Sequence, residues 1–338
     1  MQPQPSAQPT LGEYAIGVAG LALMRLGFTD DAAGRAACTA GIRDLLSRLD
    51  RDTRFRAPVG TEYDLRAGYQ EWSAAYDQPL RLFPIEEPPM RALIETLPPG
   101  TVLDAACGTG RYAAILAGRG HEVIGIDQSS AMLDLARSKL PAADFREGDL
   151  TALPLPGRCV DAVVCALALV HIRDVATALR EFARVLRPGG RLIISDVHPF
   201  LVTLGWQAQF AAHDGGDGNG PRRGFMRLHC HLASEYISAA AAAGLLLRSL
   251  TEPPLTESAV VTPAADIIPS ANRAAFAGLP AVCIWDFELL ATLPSRRPRR
   301  VHGAHTTGTV ESPVPGDRQG GRAGEKRTES SPAPPQAD

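Results

Sequence analysis

The chain has 338 residues, 45% of them hydrophobic and 21% charged, and a formal net charge of −3 at pH 7. That is enough apolar material for a sizeable buried core, in one large domain or two modest ones. The near-balanced charge provides no field to gather nucleic acid or an anionic membrane, which excludes binding driven by bulk charge.

In chain order, residues 1–10 (MQPQPSAQPT) are rich in proline and glutamine and are expected to be disordered. Residues 11–90 are expected to form a helical cap on the substrate side. Two helices are predicted over 11–60, broken near GFTDD; Ile42, Leu45, Leu46 and Leu49 give the second an apolar stripe. The run YAIGVAGLALM follows Glu13 with no basic segment before it and ends at Arg25. It is too short to span a bilayer and reads as a buried helix, not a leader. A third helix over YDLRAGYQEWSAAYD sets Tyr69, Trp72 and Tyr76 on one face, as core or as a pocket wall.

From residue 101 strands and helices alternate. TVLDAA, HEVIGID, ADFREGD, CVDAVVCALAL and RLIISDV read as strands, with helices after Gly110, over SSAMLDLARSKL and over DVATALREFARVL. RPGG stops the last of these helices. The rhythm implies right-handed βαβ units and a doubly wound α/β sheet. The domain is drawn over 91–294, with loop-rich insertions at about 198–230 and 253–280. The first insertion contains HDGGDGNGPRRG, too rich in glycine for a packed element, and is expected to act as a lid. SEYISAAAAAG reads as a helix, and LLLRSLTEP and AVCIWDFELL as strands. The tail 295–338 is expected to be disordered, with RRPRR a solvated charge run.

Six cysteines (Cys38, Cys107, Cys159, Cys165, Cys230, Cys283) form no CxxC pair and fit free thiols in a reducing, cytoplasmic setting. His213, His229, Cys230 and His231 match no zinc spacing, and no metal is expected.

The informative turn is VLDAACGTGRYA. Gly108, Gly110 and Ala113 satisfy G-x-G-x-x-A between a strand and a helix, the setting in which backbone N–H groups cradle a cofactor. Asp104 ends the strand beneath them. A carboxylate there repels the pyrophosphate of a dinucleotide and suits the cationic end of S-adenosylmethionine. Asp127 ends the second strand, where an acid accepts from ribose hydroxyls, and Asp149 follows the third, placed to accept from an adenine amine beside Leu150.

The segment from about Thr101 to Val197 therefore resembles a class I S-adenosylmethionine-dependent methyltransferase, of the broad group that includes ubiquinone- and menaquinone-biosynthesis-type enzymes. VLDAACGTG resembles the first motif, VIGIDQSSAML the ribose-binding segment, FREGDLTALPLPGRCVDAVVCALALVHI the adenine motif with the fourth strand, and EFARVLRPGGRLIISD the fifth-strand motif. The resemblance implies a seven-stranded, mostly parallel Rossmann-like sheet whose last strand is antiparallel. It implies that Gly108 and Gly110 admit the methionine part, with Asp104 at its amino end. Asp127 would bind the ribose, with Gln128 and Met132 flanking the adenosine. Asp149 and Leu150 would hold the adenine, and Ala166 would contribute through its backbone alone.

Two histidines follow strand ends and are the candidate general bases, His171 after the fourth strand and His198 after the fifth. The capping regions offer Tyr69, Trp72, Tyr76, Trp206 and Phe210 with few concentrated charges, so a small apolar or aromatic acceptor is expected, with neither nucleic acid nor membrane as partner. The oligomeric state is open. The competing functions are an NAD(P)-dependent oxidoreductase, disfavoured by Asp104, and a non-catalytic S-adenosylmethionine-binding protein.

Overall fold

The computed structural model describes residues 8–78, 81–212 and 222–291. The expectations for residues 1–7, for the glycine-rich run over 213–221 with its His213, and for the tail from 295 onward lie outside the described residues.

Two helices open the chain, α1 (Leu11–Gly27) and α2 (Ala32–Arg48). Thr10 caps α1 through a reciprocal pair: its Oγ1 accepts from Glu13 N–H at 3.2 Å and Glu13 Oε2 accepts from Thr10 N–H at 2.8 Å. Ala15, Val18, Ala19 and Ala22 recur at helical spacing and are buried; these small side chains let α1 pack closely on its neighbours. A two-residue strand, β1 (Thr61–Glu62), precedes α3 (Leu65–Trp72) and α4 (Phe83–Ile94). The helix expected over YDLRAGYQEWSAAYD is α3 alone; Ser73–Ala75 tighten into a 3₁₀ turn.

The main domain follows as β2 (Thr101–Ala105), α5 (Arg111–Gly118), β3 (Glu122–Asp127), α6 (Ser130–Lys139), β4 (Asp144–Glu147), β5 (Val160–Ala166), α7 (Val175–Val185) and β6 (Leu186–Val197). Then come α8 (Pro199–Thr203), β7 (Ala208–Ala212), β8 (Arg222–Met226), α9 (Ala233–Ala242), β9 (Leu245–Thr251), α10 (Pro269–Phe276) and β10 (Val282–Leu289). Seven strands form one sheet in the order β4-β3-β2-β5-β6-β10-β9. The pairs from β4 through β6 are parallel, and β10 runs antiparallel to both β6 and β9. This is the expected doubly wound, mostly parallel α/β sheet. Alternation sends Val102 and Ala162 into the core under α1, α4 and α5, and Leu103 and Val163 into the core under α7 and α9.

Three details depart from expectation. Helix α7 stops at Val185, one residue short of the predicted Leu186, and the strand starts before the Pro-Gly-Gly. Leu186 already pairs with Val160, and the register shifts before Ala162 pairs with Arg191, with Gly189 at φ +82° in between. The 198–230 insertion is not merely a glycine-rich loop: β7 and β8 form an antiparallel pair, and β8 adds β1 in parallel to give a second, three-stranded sheet. Phe210 and Ala212 face a small core there with Met226, so alternation does occur, over strands too short to announce themselves. The 253–280 insertion carries α10, whose Ala271, Ala275 and Phe276 are buried in the core shared with α1. Among the described residues no helix is long and apolar enough to cross a membrane.

Candidate functional site

The strand ends of the parallel sheet open onto a cavity of about 250 Å³. Its wall includes Gly108, Asp127, Gln128, Met132, Asp149, Leu150 and Ala166, seven of the positions singled out from the sequence. It also includes Tyr69 and Tyr76 from the N-terminal region, and Gly148, Thr151 and Ile172, which sequence reading did not pick out.

The glycine turn depends on left-handed backbone, with Gly108 at φ +53° and Gly110 at φ +84°. Two non-glycine residues on the cavity wall share that region, Ala106 at +58° and Leu167 at +54°. They follow β2 and β5, and place backbone strain at the strand ends that form the site. Asp127 holds the turn by accepting from Gly108 N–H at 2.9 Å, and orders the next helix by accepting from Ser129 N–H at 2.8 Å. Burial raises its carboxyl above the usual range, and these N–H donors oppose the rise. Asp149 Oδ1 accepts from both the N–H and the hydroxyl of Thr151, each at 2.7 Å.

Gly110 and Asp104 do not line this cavity. Asp104 lies beneath the turn, 1% exposed. Burial pushes its carboxyl up to about 7, against the pull of the Ala113 N–H and the Arg111 guanidinium. Its Oδ2 has no hydrogen-bond partner. A buried carboxylate oxygen left over under a glycine turn fits a cationic group and not a phosphate.

A larger cavity of about 860 Å³ adjoins the first and shares Tyr69, Tyr76, Leu167 and His171 with it. His171 ends a 3₁₀ turn just past β5, and its Nε2 lies 3.0 Å from Tyr69 Oη. Burial lowers the imidazole to about 4, so it is neutral at neutral pH, and raises the Tyr69 phenol well above its ordinary range. His171 Nδ1 has no partner. Tyr69 was read from the sequence only as part of an aromatic stripe; nothing local marks it as a histidine's partner 102 residues away.

His198 is not brought to either cavity. Val197 lines the larger one, and alternation turns the next side chain away from it. His198 instead caps α8, its Nδ1 accepting from Phe200 N–H at 3.1 Å, while Nε2 meets Glu252 Oε1 at 3.0 Å. With Nδ1 accepting, the proton sits on Nε2 and is donated to Glu252. His198, Glu252 and Cys283 lie close enough to share an ion. That proton, and burial that pushes the Cys283 thiol up to about 12, oppose metal binding there. His231 Nε2 is engaged by the Ile172 carbonyl at 2.6 Å.

Two polar networks, the first largely exposed and the second buried, tie the N-terminal region to the sheet domain. Thr109 Oγ1 donates to Asp77 Oδ1 at 2.6 Å, and Lys139 Nζ bridges Asp77 Oδ2 at 2.5 Å and the Thr109 carbonyl at 3.0 Å. This latch holds the segment after Tyr76 against the glycine turn. Glu86 of α4, fully buried, accepts from Tyr112 at 2.7 Å and Ser195 at 2.6 Å and pairs with Arg111 at 3.0 Å. Such a charge is tolerated inside because every one of these partners is present.

Residues 103–194 match the family described as "Methyltransferase domain". Over 94 residues the chain is 43% identical to malonyl-[acyl-carrier protein] O-methyltransferase of Yersinia pestis, covering 28% of this chain and 35% of that protein. Over 107 residues it is 43% identical to demethylmenaquinone methyltransferase of Deinococcus radiodurans, covering 30% and 44% respectively. A probable S-adenosylmethionine-dependent methyltransferase of Mycolicibacterium smegmatis is 42% identical over 94 residues, 28% of this chain and 37% of that protein. The chain thus spans between a third and a half of the length of these relatives.

Proposed function

We propose, for a chain whose residues 103–194 match the methyltransferase-domain family, that the protein is a class I S-adenosylmethionine-dependent methyltransferase that transfers a methyl group to a small-molecule acceptor. The observation that carries this reading is the smaller cavity, on whose wall the glycine turn, Asp127 and Asp149 converge. S-adenosylmethionine, when bound, supplies a methyl group already activated on a sulfonium, so transfer is a displacement at carbon.

In this reading Gly108 admits the amino-acid part of the donor to the backbone, and Asp104 gives that end its counter-charge from below. Asp127 takes the ribose hydroxyls, with Gln128 and Met132 against the adenosine. Asp149 and Leu150 take the adenine, and Ala166 offers backbone only. Gly110 acts by shaping the turn. Tyr69, Tyr76 and the Asp77 latch close the cavity from the N-terminal side and exclude water. Holding donor and acceptor aligned contributes up to about 7–11 kcal/mol in favourable systems.

His171 is the residue proposed to handle a proton. It lies on the wall common to both cavities and is neutral. With Nε2–H donated to Tyr69 Oη, its unpartnered Nδ1 is the atom left to receive a proton from an acceptor that must lose one, against a burial that makes the imidazole a weak base. His198 is proposed as a cap and packing residue, not a base. The helices before residue 91 and the 198–230 segment are proposed to select the acceptor, since both contribute to the larger cavity.

The test is incubation with methyl-labelled S-adenosylmethionine and a low-molecular-weight metabolite fraction. Label entering a small molecule, and lost with Asp127→Ala, supports the reading. Donor binding with no label transferred to any small molecule contradicts it.

A further inference from the structure

The larger cavity joins an aromatic wall to two guanidinium groups from distant parts of the chain. Trp72 and Phe210 stack with centroids 5.4 Å apart, and Tyr76 meets Trp72 edge-on at 5.1 Å. Arg81 stands just before α4, with Nη1 donating to the Val261 carbonyl at 2.7 Å. Arg223 comes from β8 in the insertion.

Asp266 is the wall's single acidic side chain among the described residues, and it forms an ion pair with neither arginine. Its charge is felt by both, yet both guanidiniums stay below their ordinary range, through burial first and, for Arg81, through repulsion from Arg223. Arg54 also reaches the wall, but Asp52 already holds it at 2.6 Å. Trp206 adds a buried Nε1–H with no partner. Two cations against one carboxylate, with a spare donor, leave the wall short of negative charge.

We infer that the acceptor is a planar aromatic carboxylate, its ring against Trp72 and Phe210 and its carboxylate taken by Arg223 and Arg81. This rests on the reading of the smaller cavity as the donor's, and it corrects the expectation of an acceptor chamber with little charge. The sequence hid the pair because Arg81 and Arg223 lie far apart in it, among many other arginines. A guanidinium pair of this kind recognises a carboxylate by charge-assisted hydrogen bonds, whereas an amide of equal shape leaves the charge uncompensated. Anchoring one end in this way leaves the opposite edge of the ring for the wall shared with the smaller cavity, where His171 and Tyr69 stand.

The test uses 6-hydroxy-2-naphthoate and its neutral isostere 6-hydroxy-2-naphthamide as probes. Each is titrated calorimetrically into protein saturated with S-adenosylhomocysteine. The naphthoate is expected to bind at least about tenfold more tightly. Arg223→Gln should erase that preference while sparing S-adenosylhomocysteine affinity and melting temperature. Arg81→Gln is the second variant and should at least halve the preference, expressed as a ratio of affinities. Equal affinity of the two probes, tighter binding of the amide, or no binding of the naphthoate overturns the inference. S-adenosylhomocysteine binding is measured on its own first: its failure counts against the proposed function, and the probes are then compared on the free protein.

Discussion

Tyr69 Oη lies 3.0 Å from His171 Nε2, and both residues stand in the wall that separates the two cavities. The pair joins the N-terminal cap to the end of β5 at the one place where donor and acceptor would meet. Burial makes the pair an unionised one at neutral pH, with the imidazole lowered to about 4 and the phenol raised.

The first prediction concerns that imidazole. Its folded pKa is depressed below its unfolded value, so its contribution to stability is present above about 6.5 and lost as pH falls toward about 4. An NMR titration of the His171 ring should show no protonation between pH 7 and 5. A midpoint near that of a solvated histidine would contradict the account. His171→Gln should retain S-adenosylhomocysteine affinity, since the side chain is assigned to the proton and not to the donor.

Asp104 gives the opposite sign. Its folded pKa is raised to about 7, so its contribution to the stability of the free protein is present below its unfolded pKa and lost as pH rises toward 7. Asp104→Asn should therefore flatten the pH dependence of stability across that window, by up to about 1.4 kcal/mol per pH unit. Affinity for S-adenosylmethionine should rise with pH over the same range in the parent protein and not in the variant. Parallel profiles for the two proteins would remove Asp104 from the site.

The two glycines separate by where an added methyl would go. Both hold left-handed backbone, worth about 1–2 kcal/mol of strain for any other residue. At Gly110 a Cβ also meets the Ala136 Cβ at 3.2 Å, so Gly110→Ala should act mainly on melting temperature. At Gly108 the nearest atom is Tyr76 Cε1 at 3.9 Å, so Gly108→Ala should act mainly on donor affinity. Denaturation and binding measured on both variants check this, and a reversed pattern would mean the donor does not approach Gly108.

His198 and Glu252 supply the fourth prediction. Removing the imidazole deletes the cap of α8, at a cost of about 0.5–2 kcal/mol, while the exposed Glu252 is re-solvated. His198→Ala should lower stability by that amount while methyl transfer per folded molecule is retained. Loss of transfer at full stability would restore His198 as a base.

The sheet was legible because its signals are local. Buried strands such as Val160–Ala166 are apolar runs interrupted only by Asp161, and acidic residues stand at the end of β3 and one residue before the end of β2, at fixed intervals from the glycine turn. Side-chain parity was not legible. Val197 and His198 are adjacent, and only the pairing of β6 with β10 decides which of them faces the cavity. Long-range pairing was hidden as well: β1 reaches β8 across more than 150 positions through two residues, too few for a periodic signal. Asp104 was singled out for its charge, yet its depth beneath the turn, which sets how that charge behaves, is a property of packing.

The central claim is that the smaller cavity holds S-adenosylmethionine, and calorimetric titration tests it most directly. The account predicts that S-adenosylmethionine and S-adenosylhomocysteine bind, that NAD does not, and that Asp127→Ala weakens the first two by about 10–100-fold. NAD binding in place of both, or an Asp127→Ala variant with unchanged affinity, would contradict it.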